Sequence, residues 1–244
     1  MARRELEEIN ASSMADIAFL LLVFFLVTTT FNKIKVIPDK LPIKQENAPP
    51  VVVYGYNILD IVANKNDEIQ LEANVFLDGI EELDKLTEMV KEFYVHPRMK
   101  DKIDWPEVYN LTEEMAADSL RRYQGAYDAV PEDKGLKAKV SLWKKRDKAA
   151  KMFSGSNGYI PIISDKAVVA IKMDNTTKYI TYIKILDAIM AGINELKNDM
   201  MEDVLGRPLS NLDLRLDEDK EIMELLEVIY PKRVMKKKSV ASVE

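Results

Sequence analysis

Residues 12–31 read SSMADIAFLLLVFFLVTTTF, and their reading decides how the rest of the chain is organised. Positions 17–27 carry no polar side chain, and the flanking residues are small or weakly polar. A helix of this stretch rises about 30 Å at ~1.5 Å per residue, enough to cross a hydrocarbon core. One carboxylate, Asp16, lies inside it. An aspartate within a membrane helix costs roughly 2.5–3.5 kcal/mol on insertion scales, so it usually faces a protein interior or a proton path. The sequence therefore predicts a helix that does more than anchor.

Two readings compete for this N-terminus. Arg3 and Arg4 could begin a signal peptide, but Glu5, Glu7, Glu8 and Asp16 are foreign to one, and positions 28–33 offer no Ala-x-Ala cleavage site. An uncleaved anchor over 11–31 is expected, with a short polar lead at 1–10. Lys33, Lys35, Lys40 and Lys44 follow the span, so the positive-inside count would place the C-terminal part in the cytoplasm.

Beyond the span the composition is that of a folded domain. The 244-residue chain is 47% hydrophobic and 31% charged. A net charge of -6 argues against general nucleic-acid binding. With no cysteine and a single histidine, His96, thiol chemistry, cysteine-ligated metals and histidine-rich sites are excluded. No catalytic residue, metal site or organic cofactor is expected.

Residues 32–57 carry Pro38, Pro42, Pro49 and Pro50 and read as an extended linker. A folded α+β domain, strands with helices on one face, is then expected over 58–235. Its first strand is Ile58-Leu59-Asp60-Ile61-Val62-Ala63, followed by a turn, two short strand pieces at 69–71 and 75–77, and a helix marked by Leu83, Leu86, Val90 and Phe93. Residues 97–158 differ in texture, being highly charged and holding Trp105 and Trp143, and they read as an insertion. A helix over about 110–127, a basic helical patch at 137–152 and a flexible Ser-Gly-Ser-Asn-Gly loop at 154–158 are expected within it. The domain resumes with a strand at 167–173. A long helix follows, on which Tyr179, Tyr182, Ile183, Leu186, Ile189, Met190, Ile193 and Leu196 trace an apolar stripe. A last helix over 219–230 precedes a mobile tail at 236–244.

An ordered set of short motifs resembles the ExbD/TolR family of biopolymer-transport proteins. Glu8-Ile9-Asn10 and Met14-Ala15-Asp16-Ile17-Ala18-Phe19-Leu20-Leu21-Leu22 carry it, with Leu41-Pro42 in the linker, and Tyr230-Pro231-Lys232-Arg233-Val234 is similar to the ending of longer members. Residues 58–93 and 168–196 look like the family's two strand-and-helix units; over 97–164 ordinary members are much shorter. The resemblance implies a single transmembrane helix inside an ExbB-like or TolQ-like ring. Proton flow through Asp16 (or sodium flow) would be passed to a TonB-like or TolA-like partner. It also implies a homodimer, a cytoplasmic N-terminus in the bacterial inner membrane and a periplasmic domain, against the charge count above.

On a helix, Asp16 shares a face with Ser12, Ser13, Val23, Val27 and Thr30, which makes these candidate pore-facing positions. The linker residues Ile34, Val36, Leu41 and Pro42 are candidates for pairing with a partner strand. Blander readings stand beside these: Asp16 snorkelling at the interface, hydroxyls bonding backbone carbonyls, a passive tether. At the level of the whole protein the alternative is a membrane-anchored periplasmic scaffold without ion coupling.

Overall fold

A computed structural model describes residues 11–28, 55–64, 66, 68–71, 75–77, 82–95, 106–174 and 176–237. The chain divides into two compact units, Met1–Pro50 and Val51–Glu244. The first contains helix α1, Ala11–Thr28. Helix formers such as Ala15, Ala18, Leu20, Leu21 and Leu22 fill it, and neither glycine nor proline interrupts it.

The second unit is a mixed α/β domain. Its elements run β1 (Ile58–Ala63), β2 (Ile69–Leu71), β3 (Val75–Leu77), α2 (Leu83–Val95), β4 (Val108–Leu111), α3 (Glu113–Ala129) and α4 (Lys134–Phe153). They continue with β5 (Ile160–Ile163), β6 (Val168–Met173), α5 (Tyr179–Leu205), α6 (Asp217–Ile229) and β7 (Val234–Lys237). A five-stranded sheet has the order β3-β2-β1-β6-β7. Its β1–β2 and β2–β3 pairs are antiparallel, while β1–β6 and β6–β7 are parallel.

Alternation along β1 puts Leu59, Ile61 and Ala63 at 0% exposure and leaves Ile58, Asp60 and Val62 half-buried on the other face. On the covered side α2 contributes Leu86, Val90 and Phe93, and α5 contributes Ile185, Ile189 and Ile193. Burying a side chain of this size stabilises by roughly 1.5–3 kcal/mol.

Three expectations need correction. Gly55–Asn57 forms a 3-10 turn with Asn57 buried, so these residues belong to the compact unit and not to the linker. Lys236 and Lys237, grouped with the tail, lie in β7 and pair with Ile171 and Lys172 of β6. The buried stripe of α5 is rotated: Tyr179 is 73% exposed, and Ile185, Ala188 and Gly192 pack inward in place of Ile183 and Met190. Periodicity alone admits both stripes; the sheet and α2 choose between them.

The charged stretch expected as an insertion is built into the same body. β4 pairs with β5 in a second, two-stranded sheet. Between them α3 and α4 form a helical hairpin. Thr112 caps α3 by accepting from the Met115 N–H at 3.3 Å, and Asp133 caps α4 by accepting from Gly135 at 2.7 Å and Leu136 at 3.0 Å. Leu111, Ala116, Ala149, Ala150 and Phe153 join the common hydrophobic core. The loop at 154–158 is a short 3-10 turn closed by Gly158 at φ 71°.

Candidate functional site

The physics of α1 singles it out. Its large apolar side chains point to every side, and Met14, Ile17, Phe19, Leu20, Leu22 and Phe24 are each about 60% exposed. A helix that is apolar all round is stable only inside a core or in a membrane. Eighteen residues reach about 27 Å. Among the described residues no helix is long and apolar enough to cross a membrane, and the side chains described on α1 end at Phe24.

Asp16 stands in the second turn of this helix, followed within three residues by Ile17 and Phe19. The helical backbone puts position 23 two turns further along the same side, together with positions 12, 13 and 27. Val23 is 39% exposed, the least exposed of the large apolar side chains between 14 and 24. The structure therefore places Asp16 and Val23 on one face; it describes the backbone at Ser12, Ser13 and Val27 but not their side chains. Thr30, Ile34, Val36, Leu41 and Pro42 lie outside the described residues. A lone carboxylate on such a surface can accept and release a proton and can pair with a polar group of another chain.

In the second unit, charge concentrates where strands meet. Asp60 on the open face of the sheet accepts from Lys172 Nζ and Lys237 Nζ, each at 2.9 Å. Burial pushes the Asp60 carboxyl up, but the hydrogen bonds and charges of the two lysines outweigh it and hold it below the usual carboxylate range. This cluster fastens β7 across β6 to β1. Sequence reading missed it, because residues 60, 172 and 237 share no local pattern. A cleft of about 470 Å³ opens between the end of α2, β4, the 154–157 turn and α5, lined among others by Val95, Asn110, Ser154, Tyr159, Met200 and Asp203. None of the residues expected to be functional lines it. Among the described residues no group of three or more acidic or histidine side chains is placed to hold a metal ion.

The family model described as "Biopolymer transport protein ExbD/TolR" matches residues 2–197. This range takes in α1, Asp16 and the linker. It runs through β1, the α3–α4 hairpin and β6 into α5. Comparison with curated proteins and with solved structures gave no match.

Proposed function

The chain belongs to the ExbD/TolR family of biopolymer transport proteins, and on that premise we propose that it is an energy-transducing subunit of the bacterial inner membrane. In this reading α1 crosses the membrane once, with the N-terminus cytoplasmic and the α/β unit periplasmic. Family members generally work with an ExbB/TolQ-type ring and a TonB/TolA-type partner. A homodimer of this chain seated in such a ring would cover the apolar surface of α1, and Asp16 would carry the coupling ion.

The carrying observation is a single carboxylate on a helix whose other side chains from 14 to 24 are apolar and exposed all round. A carboxylate in such a place is retained for function or removed by selection, because its insertion is unfavourable. One proton crossing a 100 mV potential releases about 2.3 kcal/mol, several times thermal energy and enough to bias a two-state step. The α/β unit would receive that motion and pass it through the linker, where Ile34, Val36, Leu41 and Pro42 are the proposed contacts.

The test is Asp16→Asn in the full chain, expressed with its ring partner. The variant is expected to assemble with the ring while energised uptake or envelope function is lost, and Asp16→Glu is expected to retain part of it. Normal function of Asp16→Asn would overturn the coupling role and leave a membrane-anchored scaffold as the better description.

A further inference from the structure

Three helices end on the rim of one cleft. Val95 is the last residue of α2 and Phe153 the last of α4, while Met200, Asp203 and Val204 lie in the last two turns of α5. All five line the cleft of about 470 Å³ beside β4. A helix C-terminus carries the equivalent of about half a negative charge. Three such ends make the cleft negative before any side chain is counted.

The side chains add to this. Asp203 is exposed, and its carboxylate makes no hydrogen bond or ion pair with any described residue. Ser154 is 7% exposed and donates its hydroxyl proton to Glu113 Oε1 at 3.1 Å, so only its lone pairs are left to offer the cleft. The chain holds 35 lysines and arginines, yet no described residue lining the cleft is basic. Apolar wall comes from Val108 and Pro161 on the paired strands and from Phe153, Met200 and Val204 on the helices. The cavity is preformed. Gly155 takes φ 49°, and the Gly158 N–H donates to the Ser154 carbonyl at 3.0 Å, which fixes the turn between them. A Cβ on Gly155 would lie 3.4 Å from Val204 Cγ2, so the turn packs directly against the end of α5. The volume falls within the range of roughly 300–1,000 Å³ common to small-molecule sites.

We propose that this cleft binds an alkylammonium group, a protonated primary amine on a short apolar stem. An ammonium has three N–H donors and no acceptor, which matches a site whose free polar atoms accept. Asp203 supplies the counter-charge, Ser154 Oγ a neutral acceptor, and Phe153, Met200 and Val204 a surface for the stem. A carboxylate or phosphate is repelled by the same features. A metal ion has no use for the apolar wall, and among the described residues no group of three or more acidic or histidine side chains is placed to hold one. β4, β5 and the turn belong to the segment between α2 and β6, and α1 takes no part, so the site is independent of any coupling role of Asp16. A free amine and a lysine side chain carry the same group, and the experiment separates them.

The test titrates the full chain in detergent with n-butylammonium chloride, against sodium chloride at equal ionic strength and pH. The heat of binding and the Met200 methyl resonance are followed together. One saturable site per chain is expected, with the Met200 resonance moving in butylammonium and not in sodium chloride, sodium butyrate or butanol. Asp203→Asn is expected to weaken binding at least ten-fold. It should leave the unfolding temperature unchanged or slightly raised, because it removes a negative charge from a helix C-terminus. Ser154→Ala is expected to weaken binding several-fold. N-acetyl-lysine amide is the second probe: tighter binding than butylammonium assigns the site to a lysine side chain, weaker binding to a free amine. Absence of saturation with both amines overturns the proposal, and so does an Asp203→Asn variant that binds as tightly as the unaltered chain. Equal affinity for butanol or butyrate, or a larger Met200 shift in magnesium chloride, overturns the assignment to an ammonium.

Discussion

Asp60 and Lys197 show how single side chains set the pH response of the domain. Asp60 is held below the ordinary carboxylate range by Lys237 and Lys172 against the opposing effect of burial. A depressed carboxylate contributes stability that is complete above its unfolded value of 3.8 and is lost as pH falls through the folded value. Asp60→Asn should therefore lower stability at pH 7 by about 1 kcal/mol, a modest figure because the group is a third exposed. The difference from the unaltered chain should shrink as pH falls below 3.8; urea unfolding at pH 7 and pH 3 measures the trend. Lys197 behaves oppositely. It is 4% exposed on α5, and burial holds its ammonium below the usual lysine value, with Glu227 pulling the other way. Its charge opposes folding in full below the folded value, and the penalty fades as pH rises toward 10.5. Lys197→Met should raise the unfolding temperature at pH 7 by a gain of about 1 kcal/mol, and that gain should shrink at pH 10. Neither behaviour is legible in the sequence. Lys197 lies one place beyond the expected stripe of α5, and Asp60 meets its partners only when three distant strands are in register.

Helix packing decides the sign of a substitution that local propensity misjudges. On α5, Gly192 faces α2, and a Cβ built there would lie 2.8 Å from the Thr87 carbonyl oxygen and 3.3 Å from Val90. In an isolated helix Gly→Ala gains about 0.8–1 kcal/mol. Here the added methyl must push backbone, and Gly192→Ala should destabilise by about 1–3 kcal/mol in denaturant unfolding. Thr87 marks the same close approach, its hydroxyl lying 3.2 Å from the Ala188 carbonyl. The hairpin helices tell a complementary story. Thr112 and Asp133 cap them, and α4 begins three residues before the basic patch expected from 137. The basic residues of α4 look like a solvated face, yet Lys145 and Lys148 reach Glu224 and Glu221 of α6, at 2.7 and 2.5 Å. Those partners are 79 and 73 residues away, beyond any local pattern.

Across the whole α/β unit, the segment between α2 and β6 is part of the load of the fold. It supplies Phe153, Ala149, Ala150, Leu111 and Ala116 to the common core, and α4 covers α6. Replacing residues 108–163 by a short linker should therefore fail to give a native domain. The expected signs are loss of near-ultraviolet circular dichroism and binding of a hydrophobic dye. A truncated domain that unfolds with an undiminished cooperative transition would show the segment to be a separate body.

The sequence by itself determined the apolar helix with its one carboxylate, the family, the strands β1, β2, β3 and β6, and the helices around them. These follow from local periodicity and from a motif order that survives without tertiary information. Tertiary structure alone decided that β7 takes in Lys236 and Lys237, that α5 turns Gly192 and not Met190 to the core, and that the charged segment shares that core. It also brought Arg146, Asp165 and Arg233 together. The physical reason is the same in each case: edge strands, close helix contacts and shared ion pairs gain their free energy from residues tens to hundreds of positions apart. A local pattern cannot register a partner that only the folded chain supplies.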